Sequence, residues 1–378
     1  MVVFWWILIY TSAVSLFGTV VHRINDRSRI KEDTVEKTRS ISLFVAILTF
    51  ALLLLFVGAR SYYNDTETYR YTFIRYITGD LSQIKELWES SSKSKYFFMV
   101  EVLFKHYISE DYTVWFFALA IFQIGAIIKI FYNYSSNYFL TSYIFIASTT
   151  FTWLMSGIRQ FTAVCIILYG LEYLVNRKTI KFLIIVLIAS LFHISALLWI
   201  PVYFICTVKP WSWKVIVFVF AILGIIVSLD TFTSLLDETL EDTSYAGLTE
   251  SIQTGEGMNM MRVLVSCVPW VLAFIKRKEI EEEHNLFLDM SVNLSFIASA
   301  IYLVATFTSG IIVGRLPIYF TMTNFILLPW IIDRYFTPSF KFLIKLACIV
   351  LYLLYFYYNF HTSKNFYESE LLGILHHV

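Results

Sequence analysis

Charged side chains are scarce in this sequence. Asp, Glu, Lys and Arg together make up 15% of its 378 residues, whereas they make up about 25% of an average soluble domain. Hydrophobic residues account for 58% and the mean hydropathy is +0.67, so a soluble globular fold is excluded. The net charge of +1 and the lack of a long basic run give no support to a nucleic-acid partner.

Several motifs that mark catalytic or cofactor sites are missing too. The sequence has no P-loop G-x-x-x-x-G-K-[ST], no H-E-x-x-H helix and no G-x-S-x-G elbow. No pair of histidines and carboxylates has metal-ligand spacing. The cysteines form no C-x-x-C pair and lie in apolar segments, where small core roles are expected: Cys165, Cys206, Cys267 and Cys348. We therefore expect neither a bound metal nor a cofactor.

What the sequence has instead is a series of long apolar runs. About 20 apolar residues in a helix span a hydrocarbon core of roughly 30 Å. We predict ten spans, near residues 3–21, 41–58, 113–132, 138–156, 158–176, 214–230, 261–275, 287–306, 311–332 and 340–360. Such runs favour an α-helical bundle because lipid offers no hydrogen bonds to an open backbone. The prediction is an all-α polytopic membrane protein, with residues 1–378 in one integral membrane domain.

Basic residues indicate which side of the membrane each loop faces. Six of them lie within 22–40, between the first two spans, and none precedes the first span. The positive-inside rule therefore puts this loop in the cytoplasm and the N-terminus outside. By the same rule the basic clusters at 177–181 and 276–278 are cytoplasmic. That requires an even number of crossings between the two clusters, whereas hydropathy counts three.

A re-entrant hairpin over 182–207 would resolve this mismatch. Two arms of about 12 residues reach only about 18 Å each, so the hairpin would enter and leave on the cytoplasmic side. Its tip would mark a cavity, because irregular backbone at that depth needs protein or water around it. Whether the segment spans or re-enters is left open, which gives ten to twelve transmembrane helices. With the hairpin, the C-terminus and the loops 59–112 and 231–260 lie outside.

The external loop 59–112 is too long for a simple connector, because loops beyond about 15 residues are usually functional or disordered. Its aromatic residues and paired charges predict amphipathic helices that lie on the membrane face. The loop opens with Arg60, Asp65 and Tyr69, a polar group at the outer end of the second span. Arg60 alone could serve as an interfacial anchor, and Glu101, further along, could face water.

Two arginines lie where apolar helices are expected to begin. Ser156-Gly157-Ile158-Arg159-Gln160 opens the fifth span, and Gly314-Arg315-Leu316-Pro317 precedes another that runs in the same direction. Helix N-termini carry partial positive charge, and Pro317 suits a first helical turn. Two such ends on the outer face, each with an arginine fork, predict a site for a dianionic group such as a diphosphate. Pairing with lipid headgroups is the alternative for either arginine by itself.

His193 lies in the apolar stretch Leu191-Phe192-His193-Ile194-Ser195. Ionisable side chains inside a membrane are costly, so they usually have a function. A neutral imidazole hydrogen-bonded to another helix is the structural alternative, and the position is a candidate for either role.

Together these motifs resemble the EpsG-like branch of the Wzy-type polysaccharide polymerases. The matching features are Arg60 with Asp65 and Tyr69, Gly157-Ile158-Arg159-Gln160 with Ala163, Phe192-His193-Ile194-Ser195-Ala196, and Gly314-Arg315 with Tyr319-Phe320. They cover roughly residues 40–335 and occur in the order of that family. Each motif is short, so the resemblance rests on the set and its spacing.

The resemblance implies a membrane glycosyltransferase that polymerises oligosaccharide repeat units carried on a polyprenyl diphosphate such as undecaprenyl diphosphate. It would work at the outer face of a bacterial cytoplasmic (inner) membrane and build exopolysaccharide, capsule or O-antigen. Its partners would be the lipid-linked oligosaccharide and membrane lipid, together with the chain-length regulator and the flippase of the same pathway.

The candidate residues can be given roles in that chemistry. The leaving group is a lipid diphosphate that needs cations, so the expected binding residues are Arg60, Tyr69, Arg159, Gln160 and Arg315. The acceptor hydroxyl must lose its proton as it attacks the anomeric carbon, so a general base is required. The candidates for this base are Asp65, His193 and Glu101, of which the resemblance favours the first two. Inversion at the anomeric carbon is a hypothesis.

Two other classes of protein stay open. A transporter or flippase of a lipid-linked glycan would also need polar residues in a helical bundle, although polar groups gathered at one face favour an enzyme. A glycan ligase or membrane acyltransferase could use the same arginines and histidine.

Overall fold

The computed structural model describes residues 2–26, 40–90, 92, 94–221, 224, 259–283, 285–307, 313–362 and 366–375. The chain divides into two compact units, one formed by 1–198 with 337–378 and the other by 199–336. The predicted external loop 231–260 lies outside the described residues except for its last two.

Helices follow the apolar segments and also occupy the long loop after the second of them. The first unit contains α1 (Val2–Asp26), α2 (Leu43–Thr49), α3 (Ala51–Gly58), α4 (Thr66–Arg75), α5 (Ser82–Glu89), α6 (Lys95–Tyr107), α7 (Tyr112–Tyr134), α8 (Tyr138–Ala147), α9 (Ile158–Tyr169), α10 (Leu171–Val175) and α11 (Thr179–Phe192). The second contains α12 (Trp199–Cys206), α13 (Met260–Ile275), α14 (Arg277–Glu283), α15 (Leu286–Ala305), α16 (Ile318–Thr321) and α17 (Asn324–Tyr335). Residues 213–221 are helical as well. The chain returns to the first unit with α18 (Pro338–Thr362).

Four of the described helices are long and apolar enough to cross a membrane: Val2–His22, Tyr112–Tyr134, Leu286–Ala305 and Pro338–Thr362. A fifth candidate is the pair Val313–Thr321 and Asn324–Tyr335, which is bent by 51°. Several further apolar helices are shorter, with 10–17 residues. The helical membrane character is therefore confirmed. The count of ten to twelve crossings stays a prediction, and so does the hairpin over 182–207.

Some predicted spans are interrupted at positions that hydropathy does not mark. The run 41–58 is divided at Phe50, between α2 and α3, and the run 158–176 is divided at Gly170. After α8, Thr149 adopts a left-handed φ of 62°, and a 3-10 helix follows at Thr150–Leu154. Each break shortens a continuous apolar run into pieces that hydropathy alone cannot separate.

Helix ends in the first unit meet in an apolar cluster. It joins α4, α6, α7 and α9 and consists of Phe73, Phe97, Phe104, Trp115, Phe116, Leu119 and Ile158. Phe192, the last residue of α11, packs against this cluster. The start of α7, the start of α9 and the end of α11 therefore lie at one end of the unit, beside the helices of the 59–112 loop. All candidate residues of the first unit lie around this end.

The opposite end of the helices is held by Ser40. Its hydroxyl donates to the carbonyl oxygen of Ser135, just after α7, at 2.9 Å, and accepts from the amide of Tyr138, the first residue of α8, at 3.2 Å. Helices α7 and α9 pack side by side, and α11 packs on α9. Because successive helices return between two ends, the arrangement is that of an antiparallel bundle.

The described residues of the 59–112 loop form α4, α5 and α6, so the helices predicted there are present. Lys105 fixes the end of α4, because its Nζ donates to the carbonyl oxygens of Phe73, at 3.0 Å, and Ile77, at 2.6 Å. The Phe73 carbonyl is one that a helix end leaves without a partner, and Ile77 lies just after the helix.

In the second unit, α15 packs against α12, α13 and α16. Asn293 on α15 donates to the carbonyl oxygens of Ile205 and Val208 at the end of α12. The predicted span 311–332 is not one helix, since α16 has only four residues and a short non-helical stretch separates it from α17. Pro317 directly precedes α16, as predicted, but the helix that it starts is a single turn.

Candidate active site

Helix α9 begins at a glycine that is held from a distant part of the chain. Gly157 has a left-handed φ of 68° and ψ of 35°, a conformation that suits glycine because it has no Cβ. Its amide donates to Oδ2 of Asp65 at 3.0 Å. A carboxylate therefore lies at the positive end of α9, where the helix dipole favours negative charge. The predicted helix start is correct, and Asp65 connects it to the loop after α3.

Arg159 lies in the first turn of α9 and is half-buried. Its Nε donates to the Tyr69 hydroxyl at 3.1 Å, and its Nη1 donates to the Ser94 hydroxyl. The Tyr69 ring in turn packs edge-on against Phe97, with 5.9 Å between ring centroids. Among the residues that the structure describes, Nη2 of Arg159 has no hydrogen-bond partner. The guanidinium is thus held on two sides, with one nitrogen left for another group.

Glu101 is fully buried on α6, so the alternative that it faces water is wrong. Trp115 donates its Nε1–H to Oε1 of Glu101 at 3.0 Å, while Oε2 is buried with no hydrogen-bond partner in the described part of the chain. Burial raises the pKa of Glu101 to about 8, although the Trp115 hydrogen bond and the positive charges of Arg159 and Lys105 act in the opposite direction. At neutral pH the carboxyl is therefore mostly protonated, since burial disfavours its charged form.

Arg60 is buried to the point that only 1% of its surface is exposed, so it is not an interfacial anchor. Its Nε donates to the Thr66 hydroxyl at 3.1 Å, its Nη1 donates to the Val57 carbonyl, and its guanidinium lies 4.2 Å from the centre of the Phe116 ring. Thr66 donates onward to the carbonyl oxygen of Met155 at 3.1 Å. Burial lowers the pKa of Arg60 to about 9. These contacts make Arg60 a link between α3, α4 and the segment before α9.

His193 immediately follows α11, at the same end of the unit. Its Nδ1 is 2.6 Å from the Ser195 hydroxyl, and the preceding Phe192 contacts Phe97 with 6.5 Å between ring centroids. The histidine is half-buried, and Gln160, on α9, is buried. His193 therefore directly follows Phe192, which packs against the apolar cluster. Tyr69 packs against the same cluster, and its member Trp115 donates to Glu101.

Arg315 belongs to the second unit. It lies in the 3-10 turn Val313–Arg315 and is exposed. The structure brings together Arg60, Asp65, Tyr69, Glu101 and Arg159 within the first unit. A joint role for Arg159 and Arg315 stays a prediction.

Some residues of the site were not singled out from the sequence. Ser94 and Trp115 hold Arg159 and Glu101. Serines are common in loops and Trp115 lies in an apolar run, so neither residue carries a signal of its own. In the described ranges, no three His, Cys, Asp or Glu side chains are grouped as metal ligands.

The EpsG family model matches residues 43–372, from the start of α2 to a segment beyond α18. The chain belongs to the EpsG family. No curated protein and no solved structure matches it. The matched range includes Arg60, Asp65, Tyr69, Glu101 and Arg159 of the first unit, and it also includes Arg315 of the second.

Proposed function

We propose that this EpsG-family protein is a polysaccharide polymerase that joins oligosaccharide repeat units carried on a polyprenyl diphosphate. Family membership supports a role in polysaccharide biosynthesis, and the apolar helices support a membrane location. The carrier would be a lipid such as undecaprenyl diphosphate, and the reaction would occur at the outer face of the bacterial cytoplasmic membrane. The products would be exopolysaccharide, capsule or O-antigen.

The observation that carries the proposal is the fixed arginine at the start of α9. Arg159 is held by Tyr69 and Ser94 beside the N-terminus of an apolar helix, and its Nη2 is available to another acceptor within the described structure. A guanidinium binds phosphate oxygens strongly when its orientation is fixed. In the reaction the bond between the anomeric carbon and the diphosphate oxygen breaks, and the electrons of that bond stay on the diphosphate. Arg159 stabilises this leaving group.

The acceptor hydroxyl forms the new bond to the anomeric carbon and gives up its proton to a base. Asp65 suits this role because Gly157 holds only its Oδ2, and its Oδ1 accepts no hydrogen bond from the residues that the structure describes. The side chain is half-buried rather than enclosed. The proton therefore passes from the hydroxyl to Oδ1 of Asp65. The other oxygen of this carboxylate accepts from the amide of Gly157, which lies two residues before Arg159. His193 and Glu101 stay as alternative bases.

Glu101 has a different role in this scheme. Its pKa of about 8 keeps it mostly neutral at pH 7, so it does not cancel the charge of the nearby Arg159. The positive charge of Arg159 is thereby left for the diphosphate. Arg60 and Tyr69 have supporting roles: Arg60 is buried beside the site, and Tyr69 orients Arg159 through a hydrogen bond. The predicted roles of Arg315 and Gln160 in binding the diphosphate are part of the same proposal.

Chain extension by purified protein tests the proposal. The protein is reconstituted in nanodiscs with undecaprenyl diphosphate-linked repeat units, and the products are separated by size. We expect a ladder of longer glycans that Arg159→Ala abolishes and that Arg315→Ala weakens. Arg75→Ala is the control, because Arg75 is an exposed arginine in the last turn of α4 with the same charge.

Two results would count against the proposal. Wild-type protein that yields no ladder with several repeat units would contradict a polymerase, and transfer of the glycan to a different acceptor would indicate a ligase. A ladder that survives Arg159→Ala would show that the diphosphate binds elsewhere.

A further inference from the structure

The chain after α18 returns to the candidate active site. Residues 366–375, called here the C-terminal segment, lie against the end of α3 and the loop that follows it. Tyr62 and Glu368 form an antiparallel bridge, in which the amide of Glu368 donates to the Tyr62 carbonyl at 3.0 Å. The amide of Ser61 donates back to the Glu368 carbonyl at 2.8 Å, and the amide of Glu370 donates to the Ser61 hydroxyl at 3.3 Å.

The C-terminal segment also completes the hydrogen bonds at the end of α3. The last carbonyls of a helix have no partner within it. Tyr367 donates its hydroxyl to the Phe56 carbonyl at 2.8 Å, and Ser369 donates to the Ala59 carbonyl at 2.6 Å. Arg60 serves the Val57 carbonyl between them. Tyr367 and Ser369 are both buried, so the C-terminal segment packs into the protein at this point and does not merely lie on its surface.

A third contact ties the segment to α4 and α7. Glu370 pairs with Arg70 of α4 at 2.7 Å and accepts from the Tyr112 hydroxyl, at the start of α7, at 3.2 Å. The Arg70 guanidinium also lies 4.6 Å from the centre of the Tyr112 ring. The segment therefore joins three elements around the stretch that leads from Arg60 to Asp65.

We propose that the C-terminal segment is a positioning element of the active site, with Ser369 and Glu370 as positioning residues. It fixes residues 60–65, so that Asp65 keeps its hydrogen bond to Gly157, two residues before Arg159. The EpsG family match extends to residue 372 and so includes both positioning residues. The inference rests on the proposed function, since the geometry that it protects is that of the diphosphate and the base.

The test compares turnover with local order. Glu370→Arg and Arg70→Glu are made singly and together, and kcat and KM are measured from ladder formation. Each single reversal puts two like charges face to face, so we expect kcat to fall about 10-fold with KM within about 2-fold. The double reversal restores the ion pair and should restore kcat to within about 3-fold of wild type. Ser369→Ala should lower kcat in the same way.

A spin label on Glu67→Cys reports the order of the same stretch without any substrate. Glu67 is exposed in the first turn of α4, and a Cys267→Ser background is used because the other three cysteines are buried. We expect the label to become more mobile in Glu370→Arg and to recover in the double reversal. Glu279→Gln, which breaks the Lys276–Glu279 pair in the second unit, is the control and should change neither readout.

The outcomes separate the two proposals. If wild-type protein makes no ladder, the proposed function fails, while label mobility still tests the segment. If wild type makes a ladder and the reversals change neither kcat nor mobility, the positioning proposal is overturned. A disulfide between Tyr62→Cys and Glu368→Cys should leave kcat within about 2-fold, and a large loss on crosslinking would instead indicate a lid that must open.

Discussion

Glu101→Gln is the substitution that most directly tests the electrostatics of the site. Burial raises the pKa of Glu101 from its ordinary value of 4.5 to about 8. In the unfolded chain the carboxyl ionises near its ordinary value, so between these pH values the folded state holds more protons than the unfolded state. The free energy of unfolding must therefore fall as the pH rises through this window. The slope is about 1.4 kcal/mol per pH unit, and the full loss approaches about 5 kcal/mol.

Glutamine removes this titration with little change of shape. Its amide oxygen can keep the hydrogen bond from Trp115, and its amide group replaces an oxygen, Oε2, that has no hydrogen-bond partner within the described residues. At pH 5 both proteins carry a neutral side chain at this position, so their stabilities should agree within about 1 kcal/mol. At pH 9 only the wild type must bury a carboxylate, and the variant should be more stable by several kcal/mol.

The assay is unfolding in mixed micelles at several pH values from 5 to 9. The difference in the free energy of unfolding between the variant and wild type is plotted against pH. Glu110→Gln is the control, because Glu110 is exposed just before α7, and its difference should not grow with pH. A Glu101→Gln difference that stays constant from pH 5 to 9 would refute the reasoning, since the pKa of Glu101 would then be the same in the folded and unfolded states.

The same variant also separates two roles in turnover. If Glu101 only leaves the Arg159 charge uncompensated, Glu101→Gln should keep its kcat at pH 7 and retain activity above pH 8, where wild type declines. Ionised Glu101 would then pair with Arg159 and weaken the diphosphate site. A variant that is inactive at every pH but stably folded would instead make Glu101 the general base in place of Asp65.

Three further substitutions have distinct expected outcomes. Asp65→Asn keeps an acceptor for the Gly157 amide but not a base, so kcat should fall at least 100-fold while the melting temperature changes by about 2 °C or less; a near-normal kcat would exclude Asp65 as the base. Gly157→Ala places a Cβ at a left-handed φ and 2.8 Å from the Trp153 ring, so denaturant unfolding should show a loss of about 1–2 kcal/mol. Ser94→Ala removes one partner of Arg159, so steady-state kinetics should show KM raised about 3- to 10-fold with kcat within about 2-fold.

The start of α9 shows what the sequence could predict. Gly157 followed by an apolar run indicated a helix start with Arg159 in its first turn, and this is what the structure contains. Such local signals depend only on neighbouring residues. The partner of Gly157 could not be found in this way, because Asp65 lies 92 residues earlier. The break at Phe50 is equally non-local, since Tyr138 of α8 donates to the Ala46 carbonyl of α2 and no feature within 41–58 records that contact.

The burial of Glu101 could have been read from its spacing. Phe97, Glu101 and Phe104 follow one another at intervals of four and three residues, which places them on one face of a helix. Both phenylalanines are buried, so the glutamate between them is enclosed as well. The charge of the residue pointed to water, while the period of its neighbours pointed to the apolar cluster. In an amphipathic helix the period is the stronger guide, because burying aromatic surface outweighs the cost of one carboxyl that can be neutralised by a proton.

The C-terminal segment had no such signal at all. Its hydroxyls serve the backbone carbonyls of Phe56 and Ala59, which lie 311 and 310 residues earlier, and any sequence has a carbonyl at those positions. What makes the contact specific is that α3 ends just before Arg60, so its last carbonyls need donors in a place that water does not fill. A buried helix end next to a functional loop must be completed by some other part of the chain. In this protein that requirement couples the last described residues to Asp65 and Arg159, and substitutions far from the site in sequence should therefore affect turnover before they affect folding.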